Sequence, residues 1–187
     1  VAKLRGSKFR GGEHDFRLDT GGISVFPRLS AADHRGPLEH ALRSTGHAVL
    51  DRMLGGGLTR GSNTLFAGPS GVGKTTTAIT CIVAALQRGE KAAYYLFDEG
   101  LGTLLVRCEQ LGLPVQQYID SGDLEVLALD PAAVSPGEFS HLVRQAVVRR
   151  GVTTLVIDSL NAYLQGMPGG KFLLLQMHEL LTYLNQR

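Results

Sequence analysis

The spacing of apolar and polar residues predicts that strands and helices alternate along most of the chain. An apolar strand over residues 63–67 leads into a glycine-rich loop, and apolar residues at helical spacing predict a helix over 75–88. The other predicted elements are strands over 91–97, 124–129 and 153–157, and helices over 101–111, 136–150 and 170–186. Strands separated by helices of this length are typical of βαβ units. The pattern therefore predicts an α/β fold with a mostly parallel sheet.

The first 43 residues show a different pattern. Two short strands over 15–18 and 23–26 flank a glycine-containing turn, which predicts a β-hairpin. Residues 30–43 are polar and include Gly36 and Pro37, as is typical of a linker or a short connecting helix. We therefore expect a hairpin segment over 1–29, a linker over 30–43 and the main domain over 44–187.

Composition excludes several classes of protein. Glycine accounts for 24 of 187 residues, well above the roughly 7% that is usual. The chain has no Gly-X-Y period, and 43% of its residues are hydrophobic, which excludes collagen and a disordered linker. The net charge of +2 favours no class of partner. No apolar run has the length of a membrane span, and Cys81 and Cys108 lie among apolar neighbours, so we expect a cytoplasmic protein without a membrane segment.

Residues 68–75 match the pattern G-x-x-x-x-G-K-[ST] between a predicted strand and a predicted helix. Glycines in such a loop let successive backbone N–H groups turn inward around phosphate oxygens, and the helix N-terminus favours an anion. Lys74 would contact the β and γ phosphates, and the Thr75 hydroxyl would bind Mg²⁺. The predicted cofactor-binding residues are Gly68, Pro69, Ser70, Gly71, Val72, Gly73, Lys74, Thr75 and Thr76.

Acidic residues follow two of the predicted strands. Asp158 comes after the apolar or β-branched residues 154–157, and an acid at this edge of a parallel sheet faces the ligand crevice. We therefore expect Asp158 to hold Mg²⁺ together with Thr75. Asp98 and Glu99 follow the strand over 91–97, where one of the two would orient or deprotonate the attacking water. With Lys74, they are the predicted catalytic residues.

Two further runs precede the glycine-rich loop: Ser-Thr-Gly at 44–46 with Leu-Asp at 50–51, and three glycines at 55–57. Together with the loop and the acids, these runs resemble the RecA superfamily and, more closely, the KaiC-type ATPases. The resemblance implies a RecA-like P-loop NTPase core, ATP and Mg²⁺ as cofactors, and Glu99 as the counterpart of the catalytic glutamate. It also implies that a further core strand, between the phosphate-loop strand and the Asp158 strand, lies beyond this chain, so that the C-terminal part of the core is missing.

Residues 3–7, Phe16 and residues 22–27 resemble the hairpin that ends a KaiC-type ATPase domain. This resemblance implies that residues 1–29 close a preceding domain of a two-domain protein. In hexamers of the family, that hairpin reaches the nucleotide of the neighbouring subunit. The candidates for such contacts in trans are Lys3, Arg5, Ser7 and Arg10.

The leading interpretation is a Mg-ATP-binding, KaiC-like ATPase with Ser/Thr autokinase activity as an addition. It would act as a homo-hexamer in signalling or circadian-type timing, with signalling proteins as partners. A DNA-dependent RecA or helicase-like ATPase is an alternative, but residues 158–171 carry one lysine and one tyrosine, which disfavours nucleic acid. A second alternative is a nucleotide-gated hexameric scaffold with negligible hydrolysis, since an aspartate stands at position 98.

Overall fold

The structure is a computed structural model that describes residues 11–29, 41–167 and 171–186. Its strands are β1 (Asp15–Asp19), β2 (Gly22–Phe26), β3 (Leu42–Arg43), β4 (Leu58–Thr59), β5 (Lys91–Leu96), β6 (Leu124–Ala128) and β7 (Val152–Asp158). Its helices are α1 (Ala48–Met53), α2 (Lys74–Gln87), α3 (Leu101–Gln110), α4 (Val115–Ser121), α5 (Pro136–Arg150), α6 (Leu160–Gly166) and α7 (Lys171–Leu184). The predicted α/β class is confirmed.

The main sheet is parallel, with β5 between β6 and β7. In this register, Leu96 of β5 is opposite Ala128 of β6 and Asp158 of β7. Helices cover both faces of β5, so its residues from Ala92 onward are buried. One face carries Tyr94 and packs with α2, α3 and α4, while the other carries Tyr95 and packs with α5, α6 and α7.

The helices α2, α3, α5 and α7 begin and end within one or two residues of their predicted bounds. The start of α5 illustrates why such helix bounds can be predicted from the sequence. The Ser135 hydroxyl accepts a hydrogen bond from the Glu138 N–H, and Pro136 takes the first helical position. The short elements α1, α4, α6, β3 and β4 had no clear apolar period and were missed. Among the described residues, no helix is both long and apolar enough to cross a membrane.

The predicted strand over residues 63–67 is wrong for the described chain, in which this segment pairs with no strand. Its side chains lie largely in solvent, and Leu65 is 72% exposed. The Asn63 side-chain amide donates to the carbonyl of Leu181 at 3.2 Å, which ties the segment to α7. An apolar run becomes a strand only where a neighbouring strand accepts its backbone hydrogen bonds, and the described strands do not supply one.

The predicted N-terminal hairpin is confirmed as two antiparallel strands, with Leu18 opposite Ile23. It packs against the main domain, because Asp15 Oδ2 accepts from the Gly137 N–H at the start of α5 at 2.6 Å. Arg28, just after β2, pairs with Glu179 of α7. These contacts place the hairpin beside α5 and α7, on the side of the sheet opposite α2.

Candidate nucleotide site

The glycine-rich loop turns directly into α2 through two glycines with positive φ. Gly71 has φ +81° and Gly73, the residue before the helix, has φ +94°, a region in which a side chain is strained. Because Gly73 has no side chain, the first-turn N–H groups of α2 receive no side-chain cap. Uncapped N–H groups at the positive end of a helix dipole are the donors that an anion requires.

Lys74 folds back over the loop that precedes it. Its Nζ donates to the carbonyls of Gly68 at 2.9 Å and of Pro69 at 2.8 Å. Both bonds lie in an exposed part of the molecule, where such contacts exchange readily with solvent or with an anion. The ammonium group is therefore held over the loop and stays available to a phosphate.

Asp158 lies at the carboxyl end of β7 and meets the start of α2. Its Oδ2 accepts from Thr75 Oγ1 at 2.7 Å and from the Tyr94 hydroxyl at 2.8 Å. Burial first, and then the charge of Asp158, raise the pKa of Tyr94 far above its ordinary value, so the phenol remains a donor. The helix that follows is capped by Ser159, whose hydroxyl accepts from the Ala162 N–H, so Asp158 is not its cap.

The adjacent acids after β5 face different surroundings. Asp98 is exposed, whereas the Glu99 side chain is only 19% exposed. Arg107 of α3 donates to both oxygens of Glu99, with Nη1 to Oε1 at 2.6 Å and Nη2 to Oε2 at 2.8 Å. These hydrogen bonds raise the pKa of Arg107. The structure therefore distinguishes two acids that their spacing alone left equivalent.

The structure brings Lys74, Thr75 and Asp158 to one edge of the molecule, as expected, and leaves Asp98 in solvent. The Thr76 carbonyl accepts from Thr80 within α2. The remaining loop residues Pro69, Ser70 and Val72 are exposed. The proposed trans contacts lie outside the described residues, at Lys3, Arg5, Ser7 and Arg10.

The Ser-Thr-Gly and Leu-Asp run at 44–51 is a local structural unit. Asp51 of α1 accepts from the Ser44 hydroxyl at 2.5 Å and from both the N–H and the hydroxyl of Thr45, at 2.8 and 2.7 Å. These hydrogen bonds lower the pKa of Asp51, with the Ser44 bond the largest cause. Asp51 thereby fixes the chain between β3 and α1. These internal hydrogen bonds give Ser44, Thr45 and Asp51 a structural role that requires no ligand.

Sequence reasoning missed two residues of the site, Tyr94 and Arg107. In the sequence, Tyr94 looks like an ordinary core residue of an apolar strand, because residue spacing does not show that its hydroxyl will bond to an acid. Arg107 gave a weak signal: it is the single basic residue of α3 and follows Glu99 by eight positions, or roughly two helical turns.

Comparison with known proteins identifies the family to which the chain is similar. The family model described as "ATPase: KaiC" matches residues 43–187. The "Circadian clock oscillator protein KaiC" of Picosynechococcus sp. is 27% identical over 172 residues, which is 92% of this chain and 33% of that protein. Its namesake from Prochlorococcus marinus is 29% identical over 167 residues, 89% of this chain and 33% of that protein.

The chain thus spans about a third of the length of these curated relatives. The family match includes the loop, α2 and both acidic strand ends, and the RecA-like core expected from the sequence is confirmed. With the match extending over most of the chain, this protein belongs to the KaiC ATPase family.

Proposed function

We propose that the protein binds Mg-ATP and hydrolyses it. The observation that carries this proposal is the 2.7 Å hydrogen bond between Thr75 Oγ1 and Asp158 Oδ2. It joins a residue of the glycine-rich loop to an acid 83 positions later, at the end of a parallel strand. A loop that only had to turn into a helix would not require a carboxylate at that point.

The residues at this edge suit the two cofactors. Thr75 and Asp158 offer a hydroxyl and a carboxylate oxygen, the donor types that Mg²⁺ prefers. The uncapped N–H groups of α2 and the ammonium of Lys74 offer positive charge to the phosphates. Bound between phosphates and protein, the ion would neutralise charge that develops on the phosphate oxygens.

Glu99 is the residue that we assign to the attacking water. Glu99 follows the carboxyl end of β5, and Asp158 lies opposite Leu96 at the carboxyl end of β7, so both acids are at the same end of the parallel sheet. Glu99 is partly buried and held by Arg107, whereas Asp98 is exposed.

In this proposal Glu99 accepts the proton of the water as the water attacks the γ-phosphorus, and the bond between the γ-phosphorus and the β-phosphate oxygen breaks to release ADP. Lys74 would hold the phosphates, and Thr75 and Asp158 would hold Mg²⁺.

The relatives extend the proposal beyond the chemical step. Since they are named as circadian clock oscillator proteins, we propose that the full-length protein works as a homo-hexamer in signalling or timing, with protein partners and a Ser/Thr autokinase activity. Cys81 and Cys108 are free and buried, and free thiols fit a reducing cytoplasm. Residues 1–29 keep their proposed role as the end of a preceding domain.

The test is ATP binding and phosphate release by the full-length protein with Mg²⁺ present. Changing Lys74→Ala should weaken ATP binding by about a hundredfold, because charge-assisted hydrogen bonds to the phosphates are lost. Lys91→Ala is the matched control: Lys91 is an exposed lysine at the opposite end of β5, and its loss should change neither property. Equal ATP affinity in the Lys74→Ala variant would refute the assignment.

The same assay separates the alternatives. Single-stranded DNA should leave the rate of phosphate release unchanged, whereas stimulation by DNA would favour a DNA-dependent motor. Incorporation of labelled phosphate from ATP into the protein tests the autokinase activity, and its absence would remove that part of the proposal.

A further inference from the structure

The pair between Arg107 and Glu99 engages both oxygens of the one acid assigned to the attacking water. Two parallel N–H to O bonds of 2.6 and 2.8 Å join the guanidinium and the carboxylate. Bidentate pairs of this kind are stronger and more directional than single-point ion pairs. Arg107 pairs with Glu99 and leaves the neighbouring Asp98 exposed, so the contact is selective.

This arrangement opposes the task of a general base. A carboxylate that takes a proton from water loses its charge, and with the charge it loses the attraction that holds the guanidinium. A bidentate partner also fixes the direction in which the carboxylate faces. For Glu99 to act on water, the pair with Arg107 has to loosen.

We propose that Arg107 is a positioning residue that restrains Glu99 and thereby sets the rate of ATP hydrolysis. The inference rests on the proposed ATPase function and adds a regulatory element to the same site. Arg107 lies on α3 and gives its described side-chain hydrogen bonds to Glu99, whereas Lys74 and the start of α2 would bind the phosphates. Its effect therefore belongs to kcat and not to ATP affinity.

The experiment compares Arg107→Gln with the unmodified full-length protein over a range of Mg-ATP concentrations up to saturation. Releasing Glu99 should raise kcat about five- to tenfold and leave KM within about twofold, a modest part of what a general base contributes. Arg107→Lys keeps the positive charge but loses the bidentate geometry, so its kcat should lie between that of the unmodified protein and that of Arg107→Gln. Arg150→Gln is the matched control: Arg150 pairs with Glu125 on the surface, and the change should leave kcat unaltered.

Further variants identify which proposal fails, if one does. The double variant Arg107→Gln with Glu99→Gln should hydrolyse ATP as slowly as Glu99→Gln alone, because Arg107 acts through Glu99. An unchanged or lower kcat in folded Arg107→Gln overturns the restraint, and if that variant does not fold, an unchanged or lower kcat in Arg107→Lys overturns it instead. Normal ATP binding by Lys74→Ala would reject the ATP site itself, whatever Arg107 does.

Discussion

The two halves of the candidate site are built in different ways. The phosphate-loop half is exposed: Leu65 ahead of it is 72% exposed, and Lys74 is held by two carbonyls of its own loop. The acidic half stands on β5 and β7, where Tyr94 is 1% exposed and donates to Asp158. The conformation of the phosphate-loop half is determined by its own backbone, whereas the positions of the acids depend on the packing of the sheet.

Because of this difference, substitutions in the two halves should affect different measured properties. Changes on the loop remove contacts to a ligand and leave the core intact, so they should lower ATP affinity at constant stability. Changes beneath the acids alter buried hydrogen bonds, so they should affect turnover and stability together. Lys74→Ala tests the first half, and the next variants test the second.

Among variants of Asp158 and its partners, the largest effect is expected from Asp158→Asn. The amide keeps an oxygen that can accept from Thr75, but it loses the charge that would hold Mg²⁺, so turnover should fall by about a hundredfold. The measurement is kcat against Mg²⁺ concentration. Asp130→Asn is the control, since Asp130 follows β6 and its Oδ1 accepts from the N–H of Ala132 in its own loop. Equal losses in both variants would contradict a metal role for Asp158.

A smaller effect is expected from Tyr94→Phe, which removes one of the two donors to Asp158. Turnover should fall by about tenfold, as is typical when a group that orients a metal ligand is lost, and the free energy of unfolding should fall by about 1–2 kcal/mol. The control is Tyr95→Phe on the opposite face of β5. The Tyr95 hydroxyl is buried and has no hydrogen-bond partner in the described chain, so its removal should be neutral or stabilising. Identical behaviour of the two variants would contradict the assigned bond.

The smallest effect on turnover is expected from Asp51→Ala, because the hydrogen bonds of Asp51 go to Ser44 and Thr45 and not to the residues of the site. The variant should have a lower Tm, because Thr45 is 1% exposed and loses the partner of its N–H and hydroxyl. The pKa of Asp51 lies below its ordinary value of 3.8, so its contribution is complete above that pH and disappears as the pH falls through the lower folded value. The Tm difference from wild type should therefore shrink in acid.

The control for this pH dependence is Asp120→Ala, which removes an exposed acid bonded to Gln116 one helical turn away. Its Tm should stay close to that of wild type over the same range. A Tm difference for Asp51→Ala that persists undiminished at low pH would show that the carboxylate charge is not what stabilises the turn.

The parts predicted from the sequence are those that depend on neighbours along the chain. Apolar spacing located α2, and the cap at Ser135 with Pro136 located the start of α5. The loop could be recognised because Gly71 and Gly73 sit at positions where φ is positive. The 63–67 segment failed as a strand because strand formation depends on a partner elsewhere. Spacing alone could not show that partner to be absent from the described chain.

The site beyond the loop depends on register and packing. Pairing of β5 with β7 brings Tyr94 near Asp158, and the position of α3 brings Arg107 onto Glu99. Neither contact follows from local pattern, because both join residues through the tertiary fold. The Ser-Thr-Gly and Leu-Asp run gave a family resemblance, and only the structure shows Asp51 holding Ser44 and Thr45.

The most direct test of the account is phosphate release from Mg-ATP by the full-length protein and by its Glu99→Gln variant, with ATP binding measured in both. The account predicts equal ATP affinity and phosphate release at least about a hundredfold slower in the variant, because the amide cannot accept the proton of water. Equal rates of phosphate release in the two proteins would contradict it.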